Sequence, residues 1–222
     1  MDINQFVQTV AIYALPVLFA ITLHEAAHGY VARHYGDMTA YAQGRISLNP
    51  ARHIDLMGTL VIPLVMLAVS GGKAAFGWAK PVPVNYSALR SPRRHMMWVA
   101  AAGPASNLAM AIGWAAFLKL ALLLPAHTFS TPMVAMGKAG ISVNLVFMFL
   151  NLLPILPLDG GRIVASLLPQ RAAGQYAKLE PLGLPVLLAL FLLPISGGRT
   201  ALDFVLAPLV GTSSAMIRSL VY

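Results

Sequence analysis

The chain has 222 residues, of which 58% are hydrophobic and 10% charged, and its formal net charge is +8 at pH 7. With so few charged side chains, the protein cannot cover a water-exposed surface, which excludes an ordinary soluble globular protein. The composition instead predicts an all-α protein that crosses a membrane several times. The absence of cysteine excludes disulfides and thiolate metal sites. We assign the positive charge to loops that orient the protein in a bilayer, and expect no nucleic-acid partner.

The first apolar stretch, residues 6–34, predicts a membrane helix bent near Pro16. Its C-terminal half contains His24-Glu25-Ala26-Ala27-His28. Histidines four residues apart share one face of a helix, so both imidazoles can bind one tetrahedral metal ion, usually zinc. Glu25 stands where a general base for the attacking water is needed. The alternative, a pair of buried hydrogen-bonded histidines, is disfavoured because ionisable groups inside a membrane are costly.

His34 follows His24 by the spacing at which some metalloproteases carry a third histidine ligand. That pattern requires glycine where this chain has Val31, and a β-branched residue favours continuation of the helix. On a continuous helix His34 lies about 15 Å further along the axis than His24. We therefore reject His34 as a metal ligand.

The segments between the membrane helices give weaker signals. Residues 43–49 alternate between polar and apolar side chains and end at an Asn-Pro pair, which predicts a short strand or hairpin. Residues 54–70 are apolar but short and interrupted by Pro63, which is compatible with a span or with a re-entrant segment. Most of the basic residues lie in the segments that connect the membrane helices on one side of the bilayer. This concentration of positive charge predicts that these connecting segments are cytoplasmic.

Further apolar stretches predict helices over residues 95–124, 138–158, 180–195 and 200–221. We expect a single membrane-embedded domain over residues 1–222. Its three-helix catalytic core covers about 6–168 and includes the re-entrant or hairpin segment, and one or two membrane helices follow within 178–221.

A metal site that keeps an open position for water needs a third protein ligand. The chain has seven acidic residues, and Glu25 is already assigned. Five others lie near ends or in loops: Asp2, Asp37, Asp55, Glu180 and Asp203. Asp159 remains, at the inner end of the third long apolar stretch and before two glycines. Pro154 and Pro157 interrupt the helix there, and irregular backbone at membrane depth is tolerated around a protein-lined or watery cavity.

These residues resemble the motifs of the site-2 protease family of intramembrane zinc metalloproteases. The matching motifs are His24-Glu25-Ala26-Ala27-His28, Gly103-Pro104-Ala105-Ser106-Asn107, and Asn151 with Pro154 running into Leu158-Asp159-Gly160. The resemblance implies that His24, His28 and Asp159 bind one zinc ion and that Glu25 is the base. It also implies that Asn107 and Asn151 lie near the site and hold the substrate backbone or the oxyanion. The chain is similar to a short form of the family, without PDZ or CBS domains.

The resemblance implies zinc-dependent cleavage of a peptide bond within or near a transmembrane segment of a protein substrate. We expect a multi-pass protein of the bacterial cytoplasmic membrane whose active site faces the cytoplasm. Two alternatives remain, a membrane transporter for zinc or another ion and a catalytically inactive scaffold. A transporter gives no role to Glu25, and a scaffold predicts the loss of Glu25 or of a metal ligand.

Overall fold

The computed structural model describes residues 3–69, 77, 79–125 and 129–221. Their α-helices are α1 (Ile3–His34), α2 (Thr39–Ala42), α3 (Ile62–Val69), α4 (Pro92–Leu123), α5 (Ser130–Asn151), α6 (Asp159–Leu167), α7 (Gln170–Ala177), α8 (Glu180–Leu192) and α9 (Ala201–Arg218). A π-helical turn at Leu56–Val61 precedes α3, and single 3-10 turns lie at Pro50–Arg52 and Tyr86–Ala88. The strands β1 (Pro194–Ser196) and β2 (Arg199–Thr200) form an antiparallel hairpin between α8 and α9.

Within the part of the chain that the structure describes, four helices are long and apolar enough to cross a membrane, namely α1, α4, α5 and α9. The prediction of an all-α protein with several membrane spans is confirmed. Helix α8 is apolar but has only 13 residues, which is short for a full span. Many large apolar side chains point outward, as expected where lipid rather than water covers the protein.

The long helices pack through small side chains interleaved with large apolar ones. The largest buried cluster joins α4, α5 and α9 and consists of Ala111, Ala115, Leu118, Ile141, Leu145, Met148 and Ile217. Between membrane helices the driving force is close packing, because lipid is as apolar as the protein core, and small residues let the backbones approach. Helix α1 also packs against α4 and α5, which brings its histidine-bearing face to the middle of the bundle.

The third long helix is shorter than the predicted 138–158. Helix α5 ends at Asn151, and Leu152 to Leu158 form turns and irregular backbone. Pro154 and Pro157 each lack an N–H, so the helical hydrogen bonds cannot continue through them. Asp159 is consequently the first residue of the separate helix α6, not the last residue of a long apolar helix.

The predicted strand or hairpin at residues 43–49 is wrong, because this segment is a turn followed by irregular backbone. Gly44 has a φ of +62°, which turns the chain, and the Arg45 guanidinium donates to the carbonyls of Lys80 and Pro81. The neighbouring segment contains two prolines, so it lacks donors that a regular ladder needs. Within residues 54–70, the π-helical turn and α3 end at Val69, and Ser70 lies outside the described residues.

Candidate metal centre and active site

Helix α1 places the imidazoles of His24 and His28 one turn apart on its buried face. Their Nε2 atoms lie 3.1 Å from each other. The Asp159 carboxylate reaches the same point from the start of α6, with Oδ2 3.2 Å from His24 Nε2 and 3.4 Å from His28 Nε2. Three potential metal ligands from two distant parts of the sequence therefore converge on one point.

Hydrogen bonds on the far side of each ring assign the tautomers of both histidines. His28 Nδ1 lies 2.7 Å from the Val99 carbonyl oxygen, which can only accept, so Nδ1 carries the hydrogen. His24 Nδ1 lies 2.6 Å from Asn107 Oδ1 and likewise donates. Both Nε2 atoms of the neutral rings are therefore left with lone pairs that face each other.

The orientation of the Asn107 amide is itself determined by its neighbours. Asn107 Nδ2 donates to the Ala20 carbonyl over 3.2 Å and to Asn144 Oδ1 over 3.1 Å, which turns Oδ1 toward His24. Asn144 Nδ2 donates to the Gly140 carbonyl, 2.9 Å away. We call this chain of bonds from α5 through α4 to α1 the asparagine relay (Asn144, Asn107, His24). Both asparagines are fully buried, so the relay is rigid and shielded from competing water.

The three ligand atoms are suited to a zinc ion. At bond lengths of about 2.0–2.1 Å, the ligand atoms of a tetrahedral zinc lie about 3.3–3.4 Å from one another. The observed separations are 3.1, 3.2 and 3.4 Å. Asp159 Oδ2 is buried and has no hydrogen-bond partner among the described residues. Three hydrogen-bond acceptors that face one another without a hydrogen-bond donor are unfavourable unless a cation lies between them. These three ligand atoms therefore fit a metal ion.

Gly103 lets helix α4 approach this centre closely. A Cβ atom at this position would lie 2.5 Å from His28 Nε2 and 2.6 Å from His24 Nε2. No side chain can therefore occupy the position without displacing the imidazoles. The glycine of the Gly103–Asn107 motif is thus a steric requirement of the centre, and the asparagine of the motif orients one of its ligands.

Glu25 and the centre share a cavity of about 450 Å³. Glu25 Oε2 accepts a hydrogen bond of 2.7 Å from the backbone N–H of Val82. Asn151 also lines the cavity, and its Nδ2 donates to the Phe147 carbonyl over 3.0 Å. The cavity is large enough for an extended segment of peptide and contains a carboxylate beside the candidate metal position.

Tyr86 and Arg162 line both this cavity and a second one of about 460 Å³. Burial raises the pKa of the Tyr86 hydroxyl above its ordinary value, and the nearby Arg162 offsets only part of that rise. Tyr86 is therefore a neutral phenol at physiological pH. Arg162 lies 5.1 Å from the Tyr86 ring and 3.3 Å from Glu180 Oε1, so the ring and the carboxylate both hold its guanidinium.

The structure brings together the four residues assigned to metal binding and catalysis, His24, Glu25, His28 and Asp159. Helix α1 continues to its end at His34, which is exposed and outside the cluster, as expected from Val31.

The two asparagines differ from each other. Asn151 lines the cavity, whereas Asn107 has its amide groups engaged within the protein. The position of Asn107 favours a role in orienting His24 over the predicted contact with substrate. Asn144 is not among the residues predicted for the site, although a polar amide within an apolar helix is a signal for such a position.

Comparisons with known proteins identify the family of this chain. A model of peptidase family M50 matches residues 120–194, a segment that includes Asn151 and Asp159. The chain is 38% identical over 189 residues to the Bacillus subtilis protein named "Putative zinc metalloprotease YwhC", covering 82% of this chain and 80% of that protein. No solved structure matches the chain.

Mycobacterial proteins named Rip2, with the same zinc-metalloprotease designation, are also similar. Identity to the protein from Mycobacterium tuberculosis H37Rv is 31% over 185 residues, which is 82% of this chain and 66% of that protein. Identity to the Rip2 protein of Mycolicibacterium smegmatis is 31% over 147 residues, which is 64% of this chain and 52% of that protein. The chain therefore belongs to peptidase family M50, the site-2 proteases.

Proposed function

We propose that this protein is an intramembrane zinc endopeptidase that cleaves a peptide bond within or near a transmembrane segment of another membrane protein. One zinc ion per chain would be held by His24, His28 and Asp159. The observation that carries the proposal is the convergence of two imidazole lone pairs and a partnerless carboxylate oxygen beside Glu25. A transporter would not need a carboxylate at the position of Glu25.

In the proposed reaction, the metal would activate the substrate carbonyl and the water, and residues of the chain would transfer the proton and orient the ligands. A bound zinc ion polarises the scissile carbonyl and lowers the pKa of water. Glu25 takes a proton from the attacking water and delivers it to the leaving amine. The asparagine relay and the Val99 carbonyl hold the two imidazoles in the ligating tautomer. Asn151 has one amide N–H bonded to Phe147, and we propose that its other N–H contacts the substrate carbonyl.

The surroundings of the cavity support a membrane-embedded substrate. The centre lies among α1, α4 and α6, and the long helices around it expose large apolar side chains. A transmembrane substrate must unwind locally, because a helix hides its peptide carbonyls in internal hydrogen bonds. The basic loops support an orientation in the cytoplasmic membrane with the active site toward the cytoplasm.

The test is Glu25→Gln in purified protein mixed with a transmembrane reporter, with cleavage followed on gels and zinc measured by plasma mass spectrometry. We expect one zinc per chain and a loss of cleavage of about 100- to 10,000-fold, the range that general-base catalysis typically contributes. The control is Asp203→Asn, the corresponding carboxylate-to-amide change at an exposed residue of α9 that does not line this cavity, which should keep cleavage.

Cleavage by Glu25→Gln at the rate of the unchanged protein would defeat the proposal. Zinc binding by the unchanged protein without cleavage of any membrane reporter would favour a transporter or a scaffold.

A further inference from the structure

The segment over residues 79–85, here called the strap, lines the cavity next to helix α1 and has no regular secondary structure. Its centre is Pro81-Val82-Pro83, in which only Val82 has a backbone N–H. That single donor is directed at Glu25, with 2.7 Å between Val82 N and Glu25 Oε2. Val82 therefore has the single backbone N–H within residues 81–83, and this N–H donates to the carboxylate of the proposed base.

Both ends of the strap are anchored. Near its start the Lys80 N–H donates to the His53 carbonyl over 2.9 Å, and Arg45 donates to the Lys80 carbonyl over 3.0 Å. At its end the Asn85 N–H donates over 2.7 Å to Asp37 Oδ2, a carboxylate with 0% exposure. These anchors come from residues 37–53, in the segment that follows α1, so the strap is fixed at both ends independently of its bond to Glu25.

The side chain of Val82 docks on the same helix. Val82 is 6% exposed, and a Cβ built on Gly29 would lie 3.2 Å from its Cγ1. Gly29 is one turn after Glu25 on α1, so both lie on the face that meets the strap. The side chain of Val82 therefore packs against α1 next to the turn that carries Glu25, while the backbone anchors at Lys80 and Asn85 fix the position of its amide.

We propose that the backbone N–H of Val82 is a positioning group for the general base. By holding Oε2, the strap fixes the side-chain rotamers of Glu25 and leaves Oε1 as the oxygen that takes the proton. A glutamate without this bond would sample several rotamers, and only a fraction of them would place an oxygen beside the attacking water. This inference rests on the proposed peptidase function and adds a required backbone group to it.

The direct test is Val82→Pro, which removes the N–H from a segment that already carries two prolines. We expect kcat to fall roughly 10- to 100-fold, the effect of losing a hydrogen bond to a charged group, with KM and zinc content unchanged. Val82→Ala keeps the N–H and loses only packing, so its kcat should fall less than about threefold. Val84→Pro adds a proline to the same strap without touching the bond to Glu25 and should lose clearly less than Val82→Pro.

Equal losses of kcat in Val82→Pro and Val84→Pro, or in Val82→Pro and Val82→Ala, would overturn the proposal. So would a wild-type kcat in Val82→Pro. These outcomes are read only against an unchanged protein that cleaves and a Glu25→Gln variant that does not, so failure of the peptidase function itself is recognised separately.

Hydrogen exchange tests the same bond without a substitution in the strap. Val82 is the only residue of 81–83 with an exchangeable amide, so mass spectrometry of peptides covering the strap can isolate it. We expect Glu25→Ala to speed this exchange at least tenfold, whereas Glu25→Gln keeps an acceptor and should keep protection. Identical exchange in the unchanged protein and in Glu25→Ala would overturn the proposal.

Discussion

Replacement of Gly103 by alanine tests whether the close approach of α4 shapes the metal centre. The added methyl would lie 2.5 Å from His28 Nε2, whereas ordinary contact begins at 3.4 Å. The imidazoles or the helix must therefore move by about 0.9 Å, and metal sites tolerate ligand displacements of only about 0.2 Å. We expect the affinity for zinc to fall at least about 100-fold and cleavage to be lost in proportion.

Gly113→Ala is the matched control for this prediction. It adds the same methyl to the same helix at a position where, apart from the helix's own nearby backbone, no atom of the described residues lies within 4 Å of the new Cβ. Zinc affinity would be measured by competition with a chromophoric chelator, alongside the thermal midpoint in detergent. If Gly103→Ala bound zinc as tightly as Gly113→Ala and cleaved at the same rate, the close approach deduced for α4 would be incorrect.

Two further substitutions probe the surroundings of the centre. Asn107→Leu removes the acceptor of His24 Nδ1 and leaves Asn144 without its partner, so zinc affinity should fall about 10- to 100-fold in the same chelator competition. Unchanged affinity would contradict the relay. Gly183→Ala would drive a methyl into the Leu156 carbonyl, in the loop that leads to Asp159, and should cost about 1–3 kcal/mol of stability, seen as a lower thermal midpoint. Gly211→Ala, where a Cβ meets nothing within 4 Å, is its control, and equal midpoints for the two variants would contradict the packing.

The long helices and the first two metal ligands could be read from the sequence because both depend on local patterns. Hydropathy over a window of about 20 residues indicates a membrane helix, whatever packs beside it. The spacing of His24 and His28 sets their common face through the geometry of a single helix. Asp159 could be selected among only seven acidic residues because the chain offered so few alternatives inside apolar sequence.

Local patterns also misled at two points. The alternation over residues 43–49 predicted a strand, but a strand needs a partner with free backbone groups, and the adjacent strap has prolines. The apolar run to Leu158 predicted one helix, although Pro154 and Pro157 end it early and start Asp159 on a new one. In both cases the hydrophobic pattern was present, and the missing backbone donors decided the outcome.

What the sequence alone determined is therefore an all-helical membrane protein with two imidazoles on one helix face and one carboxylate available to join them. The tertiary structure decided the arrangement around those groups. Asn144 reaches His24 through Asn107 from positions 37 and 83 residues apart, and Val82 reaches Glu25 across 57 residues. Such contacts arise from how helices and a strap pack against one another, and no periodicity within a single segment encodes them.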